Sequence, residues 1–272
     1  MSKEYQIILA DIPLNIQLKN DEISVDLWRW LLRQGHPMYR ENVPLQDHIP
    51  PITDEDIASE RAYFESTYLD NDVELTGPAL EFEMLLNRLS DALLKYDAFI
   101  FHGAAFQWRG KAYIFTAPSG TGKTTQYRRW REVYGDEIRI LNGDKPVLRF
   151  LQEEPDGTVR VYPSPWHGKE GYARGFSKLP LGGIIYLEQG SENRIWKMAP
   201  EEAGIPLFTQ LLFSAADAPS VQKGASLIDR LANSVPVWKL VNLGDHASAK
   251  LTHDTILTYE ESQKSDHGRK SE

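Results

Sequence analysis

The residues with the clearest chemical potential lie at 116–126, which read TAPSGTGKTTQ. The apolar run AYIFTA leads into them, and GKTTQYRRWREVYG follows with the composition of a helix that ends at Gly135. Strand, glycine-bearing loop and helix, in that order, is the context in which such a loop holds phosphate. Successive backbone N–H groups converge on one cavity, and the helix turns its positive end toward the anion. Gly120 and Gly122 fill the inner positions, where φ must be positive or where a side chain would meet the phosphate. Lys123 is expected to reach the β- and γ-phosphates of ATP, and Thr124 to offer its hydroxyl to Mg²⁺. Ser119, Thr121 and Thr125 complete the expected nucleotide-binding set. The usual pattern opens with a glycine, and here Ala117 stands in its place. That position is at the strand end, farthest from the lysine, where a methyl group is tolerated if the backbone stays in an ordinary region. A chance Gly/Ser/Thr turn is the plain alternative for the whole loop.

Asp144 is the next candidate. It ends the apolar stretch EIRILNGD, as the Mg²⁺-orienting carboxylate of phosphate-loop sites does. An ordinary turn aspartate in NGDKP is the competing reading.

The elements that must position these groups can be read from the pattern of apolar residues. Residues 1–18 alternate as one or two strands, and VDLWRWLLRQG reads as a helix ending near Gly35. The stretch 36–56 is Pro-rich, polar and irregular. In GPALEFEMLLNRLSDALLKYD, Leu80, Met84, Leu85, Leu89 and Leu93 recur at helical spacing behind a proline. AFIFHGAAFQWRGKAYIFTA reads as two strands with a turn at WRGK, and VLRFLQEEPDGTVRVY as a hairpin around PDG. The loop PSPWHGKEGYARG precedes the strand GGIIYLEQG. Residues from Pro200 to Ser234 look helical, VPVWKLV is a strand, and a last helix starts near Asp245. These elements give an N-terminal α+β region over 1–95, a mixed α/β core over 96–260, and a polar, frayed tail over 261–272.

Composition narrows the function classes. At 272 residues, 41% hydrophobic and 25% charged, the chain is an ordinary globular sequence with no run long enough to span a membrane. It has no cysteine, so disulfides, zinc–thiolate sites and thiol catalysis are excluded, which fits a cytoplasmic protein. A net charge of −9 argues against a nucleic-acid partner. The one basic cluster, Arg128, Arg129 and Arg131, falls on the helix after the loop, where a solvated face is the simpler reading. An oligomer is compatible with everything in the sequence.

Taken together, FHGAAFQWRGKAYIFTAPSGTGKTT and RILNGDKPV resemble the HPr kinase/phosphorylase family and its structural cousin, phosphoenolpyruvate carboxykinase, over about residues 99–190. The resemblance implies a kinase core with a mixed β sheet and flanking helices. It implies His102 beside the phosphates, Lys123 and Thr124 on ATP–Mg²⁺, and Asp144 near the metal. It also implies a hydroxyl acceptor, such as a serine of a protein or peptide, or a small molecule. The family carries an acidic pair where this chain has Gly143–Asp144, so the carboxylate that takes the acceptor's proton is missing from its usual place. Asp144 or His102 could serve as base, an imidazole being well matched to neutral pH. The segment PWHGKEG offers a third source, with His167, Lys169 and Glu170 in one loop; Lys169 would add a cation useful to phosphate transfer. Arg174 is a weaker candidate of the same kind, and Trp166 is either a stacking surface for a base or a buried aromatic. The leading expectation is an ATP- and Mg²⁺-dependent kinase. A nucleotide-binding regulatory module without acceptor chemistry, favoured by Gly143, and an NTP hydrolase are the alternatives. Carboxykinase-type decarboxylation lacks a His/Lys/Asp cluster for a second metal ion. The sequence names the donor and not the acceptor.

Overall fold

A hairpin opens the chain. β1 (Lys3–Leu9) pairs antiparallel with β2 (Ile12–Leu18), and the inward residues of β2 alternate as Ile12, Leu14, Ile16 and Leu18. The computed structural model describes residues 3–20, 47–67, 76–155, 157–173 and 178–269. The helix expected at VDLWRWLLRQG, the first part of the Pro-rich stretch and Arg174 lie outside the described residues. β3 (Asp47–His48) adds to β2 in parallel, and α1 (Asp54–Thr67) and α2 (Gly77–Leu94) follow. The start of α2 is set by Thr76, whose hydroxyl accepts from Ala79 N–H at 3.3 Å, and by Pro78 in the first turn. Its apolar stripe buries Leu80, Leu85, Leu89 and Leu93, with Met84 half-buried. Leu85, Leu89 and Leu93 share one core with the hairpin and with Ala98, Ile100, Tyr162 and Trp166. The N-terminal segments are therefore packed directly onto the strands that carry the candidate site.

Those strands form a ten-stranded mixed sheet. Its members are β4 (Ala98–Phe101), β5 (Ala104–Trp108), β6 (Lys111–Thr116), β7 (Arg139–Asn142), β8 (Val147–Phe150), β9 (Val159–Tyr162), β10 (Leu179–Gln189), β11 (Arg194–Lys197), β12 (Leu211–Leu212) and β13 (Val237–Asn242). The order runs β12-β4-β8-β9-β10-β6-β5-β7, with β13 also pairing β10, and β11 pairing β13. β10 lies parallel to both β6 and β13, and the other pairings are antiparallel. The fold is mixed α/β, with six α-helices among the described residues. The turn at WRGK is tight because Arg109 and Gly110 both take positive φ, 50° and 78°, the geometry a two-residue hairpin requires.

The helix after the glycine loop, α3 (Lys123–Tyr134), buries Lys123, Gln126, Tyr127 and Trp130 at helical spacing. It packs against α6 (His246–Arg269) over an aromatic core that holds Phe106, Phe115 and Trp130. Three expectations need correction. AFIFHGAAFQW is not one strand: β4 and β5 are separated at His102–Gly103, β4 pairing with β8 and β12 and β5 with β6 and β7. Residues 200–234 are not continuously helical: α4 (Pro200–Phe208) and α5 (Ala218–Ser234) are separated by β12, which pairs with β4. Pro206 inside α4 and the Asp217 cap, which accepts from Ser220 N–H at 2.7 Å, mark the break. The polar stretch from 261 does not fray at once, for α6 continues to Arg269, and the Ser262 hydroxyl bonds back to Tyr259 O at 2.7 Å. Among the described residues no helix is long and apolar enough to cross a membrane.

Candidate functional site

The glycine loop joins the carboxyl end of β6 to the first turn of α3. Gly120 and Gly122 have φ of 78° and 113°, and Gly122 caps α3. A Cβ at Gly120 would meet nothing within 4 Å, so the glycine there serves conformation and an open surface, not close packing. Ala117 is not among the residues with positive φ, and it is fully buried in the aromatic core beside α3. Its methyl group thus belongs to the core, and its backbone needs no glycine. Thr121 ties the loop through its hydroxyl to Pro118 O at 2.9 Å. Lys123 folds back across it, donating to Ala117 O at 2.9 Å and Pro118 O at 3.3 Å. Ser119, Gly120 and Thr125 are exposed, and Thr124 is half-buried in the first turn of α3. A cavity of about 490 Å³ lies between Pro118–Thr121 and Tyr186–Gln189. It sits outside the carboxyl ends of the parallel strands β6 and β10, where open α/β sheets bind ligands.

Beside this loop the structure gathers three of the residues singled out by sequence. His102 Nε2 lies 3.6 Å from Asp144 Oδ1, and Lys123 is close enough for its charge to act on both. Burial, reinforced by the Lys123 charge, holds the His102 imidazole below its ordinary pKa, with Asp144 pulling the other way. Burial likewise lowers the Lys123 ammonium, again against the pull of Asp144.

The backbone explains how these groups meet. A Cβ on Gly103 would lie 2.6 Å from Ile114 Cγ2, so only glycine lets β6 pass this close to the end of β4. Gly103 N–H then donates to Asp144 O at 2.8 Å, fixing the His-Gly pair against the aspartate's turn. That turn is organised by Asn142, whose Oδ1 accepts from Asp144 N–H at 3.0 Å and Lys145 N–H at 2.8 Å. Asn142 is itself fully buried and donates to Ser164 O at 3.0 Å.

The loop that follows β9 is placed over this turn but distributes its side chains differently from the sequence expectation. The Glu170 carboxylate accepts from Arg128 Nε at 2.9 Å and Nη2 at 2.5 Å, on α3. This pairing, not a contact with Asp144, is what its carboxylate makes. Lys169 is exposed. His167 Nδ1 lies 2.9 Å from Gly168 O, and its ring rests 4.7 Å from that of Tyr172. Trp166 is buried, stacked on Phe82 of α2 at 4.8 Å, so it offers no face to a base. The arginines of α3 pair with acidic or carbonyl groups: Arg129 with Glu132 and Gly244 O, Arg131 with Asp136.

Three further groups border the site and were not singled out by sequence. Lys145 Nζ sits 2.6 Å from Asp144 Oδ2. Gln210 is buried and places Oε1 3.0 Å from His102 Nδ1, while its backbone O accepts from His102 N–H at 2.8 Å. Glu83 of α2 has its carboxyl pushed up by burial, with the Lys145 charge opposing that and Asp144 and Glu60 adding to it. Lys145 stood next to a named candidate in NGDK. Gln210 and Glu83 carry no local signal, since only the pairing of β12 with β4 and the docking of α2 bring them here.

No known protein family matches the chain, and no curated protein matches its sequence. Among solved structures, the chain is similar to the Hpr(Ser) kinase/phosphatase from Coxiella burnetii, with a TM-score of 0.37 and 10% identity. The match covers 62% of this chain and 96% of that one.

Proposed function

We propose that the protein is an HPr kinase-like phosphotransferase that moves the γ-phosphoryl group of ATP to a hydroxyl acceptor. The observation that carries this reading is the meeting of Lys123, His102 and Asp144 beside a strand–glycine loop–helix unit. Phosphoryl transfer needs positioning and charge neutralisation above all. The open loop at Gly120 and Gly122 would cradle the phosphates, with Lys123 moving from the loop carbonyls onto them, and the cavity beside Tyr186 would admit the nucleoside.

Magnesium fits this donor set as an ion shared with the nucleotide. Among the described residues no group of three or more His, Asp or Glu side chains is arranged to hold a metal by itself. Thr124 and Asp144 would hold Mg²⁺ together with the phosphates, the usual division for this ion. When bound, it supplies neutralising charge to the β- and γ-oxygens.

The acceptor oxygen would form its bond to the γ-phosphorus as the bond to the bridging oxygen breaks and ADP leaves. The hydroxyl proton would pass to His102 Nε2, which burial and Lys123 keep uncharged near neutral pH. The base would then be His102, with Asp144 beside it, in place of a carboxylate at 143. Glu170, tied to Arg128, would hold the loop over the site, and Lys169 at its exposed tip would meet the acceptor.

The test is calorimetric titration with ATP and Mg²⁺ of the wild type and of Lys123→Ala, followed by labelled-ATP assays against serine-containing peptides and small alcohols. Binding in the micromolar range that disappears in the variant, with label appearing on a hydroxyl, is expected. Wild-type transfer by Lys123→Ala would reject the assignment, and binding without transfer to any acceptor would favour the regulatory-module reading.

A further inference from the structure

The hydrogen bonds behind His102 run in one direction. Pro206 O, in α4, is a carbonyl and can only accept; the Thr209 hydroxyl donates to it at 2.8 Å. With its single proton so used, Thr209 Oγ1 accepts from Gln210 Nε2 at 3.0 Å. That contact fixes which end of the Gln210 amide is which, leaving Oε1 to face His102 Nδ1 at 3.0 Å. An amide oxygen accepts, so Nδ1 must carry the imidazole proton. In the neutral ring, Nε2 is then left with its lone pair pointing toward Asp144 Oδ1, 3.6 Å away. Two acceptors then face each other across that gap, which leaves the Nε2 lone pair without a donor on the Asp144 side.

We infer that Gln210 is a positioning residue, and that Thr209 and Pro206 act through it to set the His102 tautomer. A histidine base needs a third group to orient it and to decide which nitrogen is basic. Here that group is a neutral amide, whose own orientation is dictated by a helix-end hydroxyl. The inference rests on the proposed function only for its kinetic consequence; the tautomer itself follows from the hydrogen bonds alone. The main-chain bond from His102 N–H to Gln210 O and the pairing of Leu211 with Phe101 do not involve these side chains. Substitutions at Thr209, which is exposed, therefore spare the fold.

The experiment is long-range ¹H–¹⁵N NMR on full-length protein labelled at histidine, recorded at about pH 8 where an ordinary imidazole is neutral. His102 is assigned by its absence in His102→Gln. The wild type should show a protonated Nδ1 and an unprotonated Nε2. Thr209→Val, which lets the amide turn its NH₂ toward the ring, should shift His102 toward the Nε2–H form, as should Gln210→Leu. Thr209→Ser should keep the wild-type pattern. A wild-type His102 protonated on Nε2, or a Thr209→Val spectrum unchanged from wild type, would overturn the inference. The kinetic arm expects Thr209→Val to lose kcat by about 10²-fold, within the range a general base contributes, while KM for ATP stays unchanged. Equal kcat in Thr209→Val and wild type would deny the relay a catalytic role. If the wild type neither binds ATP nor transfers phosphate, the functional reading fails, and the spectra still decide the tautomer.

Discussion

The carbonyl oxygen of His167 stands 2.5 Å from the point that a Cβ on Gly143 would occupy. Glu170 Cβ lies 2.9 Å from the same point, and Gly143 N–H donates to Gly171 O at 2.8 Å. The glycine is thus the seat on which the 167–171 loop rests, and no side chain fits there without moving backbone. This gives the glycine at 143 a packing reason. Gly143→Asp, which recreates an acidic pair in sequence, should lower the urea midpoint by the equivalent of ~1–3 kcal/mol, as overpacking does. It should also reduce transfer instead of raising it. A Gly143→Asp protein as stable as wild type and faster in transfer would show that the loop yields easily and that 143 is simply a vacated catalytic position.

Much of this site was legible because its parts are local. Glycines at 120 and 122, a lysine at 123 and a strand before them define a loop within one short segment, and its backbone takes the expected conformations. Asp144 was reachable because it follows a strand of evident apolar character, and His102 through the resemblance of its His-Gly pair. What sequence could not supply was the partner of each side chain. Glu170 and Arg128 are 42 residues apart, His102 and Gln210 are 108 apart, and no periodicity connects either pair. The error over residues 200–234 has a similar source. β12 is only two residues long, too short to display an alternation, and it exists because β4 offers an edge to it. Trp166 was ambiguous for the same reason, since its stacking partner Phe82 comes from the N-terminal helix α2.

Lys145 supplies the second prediction. Its ammonium is 2.6 Å from Asp144 Oδ2, leaving Oδ1 toward His102, and its charge acts on His102 and Lys123 as well. A lysine so placed orients the aspartate and holds His102 less basic. Lys145→Met keeps the chain's bulk and removes the charge. Transfer should fall about tenfold, equivalent to ~1.4 kcal/mol, while the Kd for ATP changes little, since in the proposed function Lys123 would hold the phosphates. Calorimetry and single-turnover kinetics on the same preparation separate the two effects. A loss of ATP affinity as large as the loss of rate would instead make Lys145 a nucleotide-holding residue.

The protonation of His102 supplies the last. Burial first, and the Lys123 charge second, hold its pKa below the ordinary value of about 6.5. The unfolded chain therefore binds a proton at this residue more readily than the folded one does. By linkage, the folded state keeps its full advantage above about pH 6.5 and loses it as pH falls from there through the lowered folded value. His102→Gln removes that proton uptake. The difference in urea midpoint between wild type and His102→Gln, followed from pH 8 to pH 5, should be flat above about pH 6.5 and then move against the wild type. The same neutral imidazole should let transfer persist to a lower pH than an unperturbed histidine base would allow. A difference curve that stays flat down to pH 5 would mean that His102 is as easily protonated in the fold as out of it.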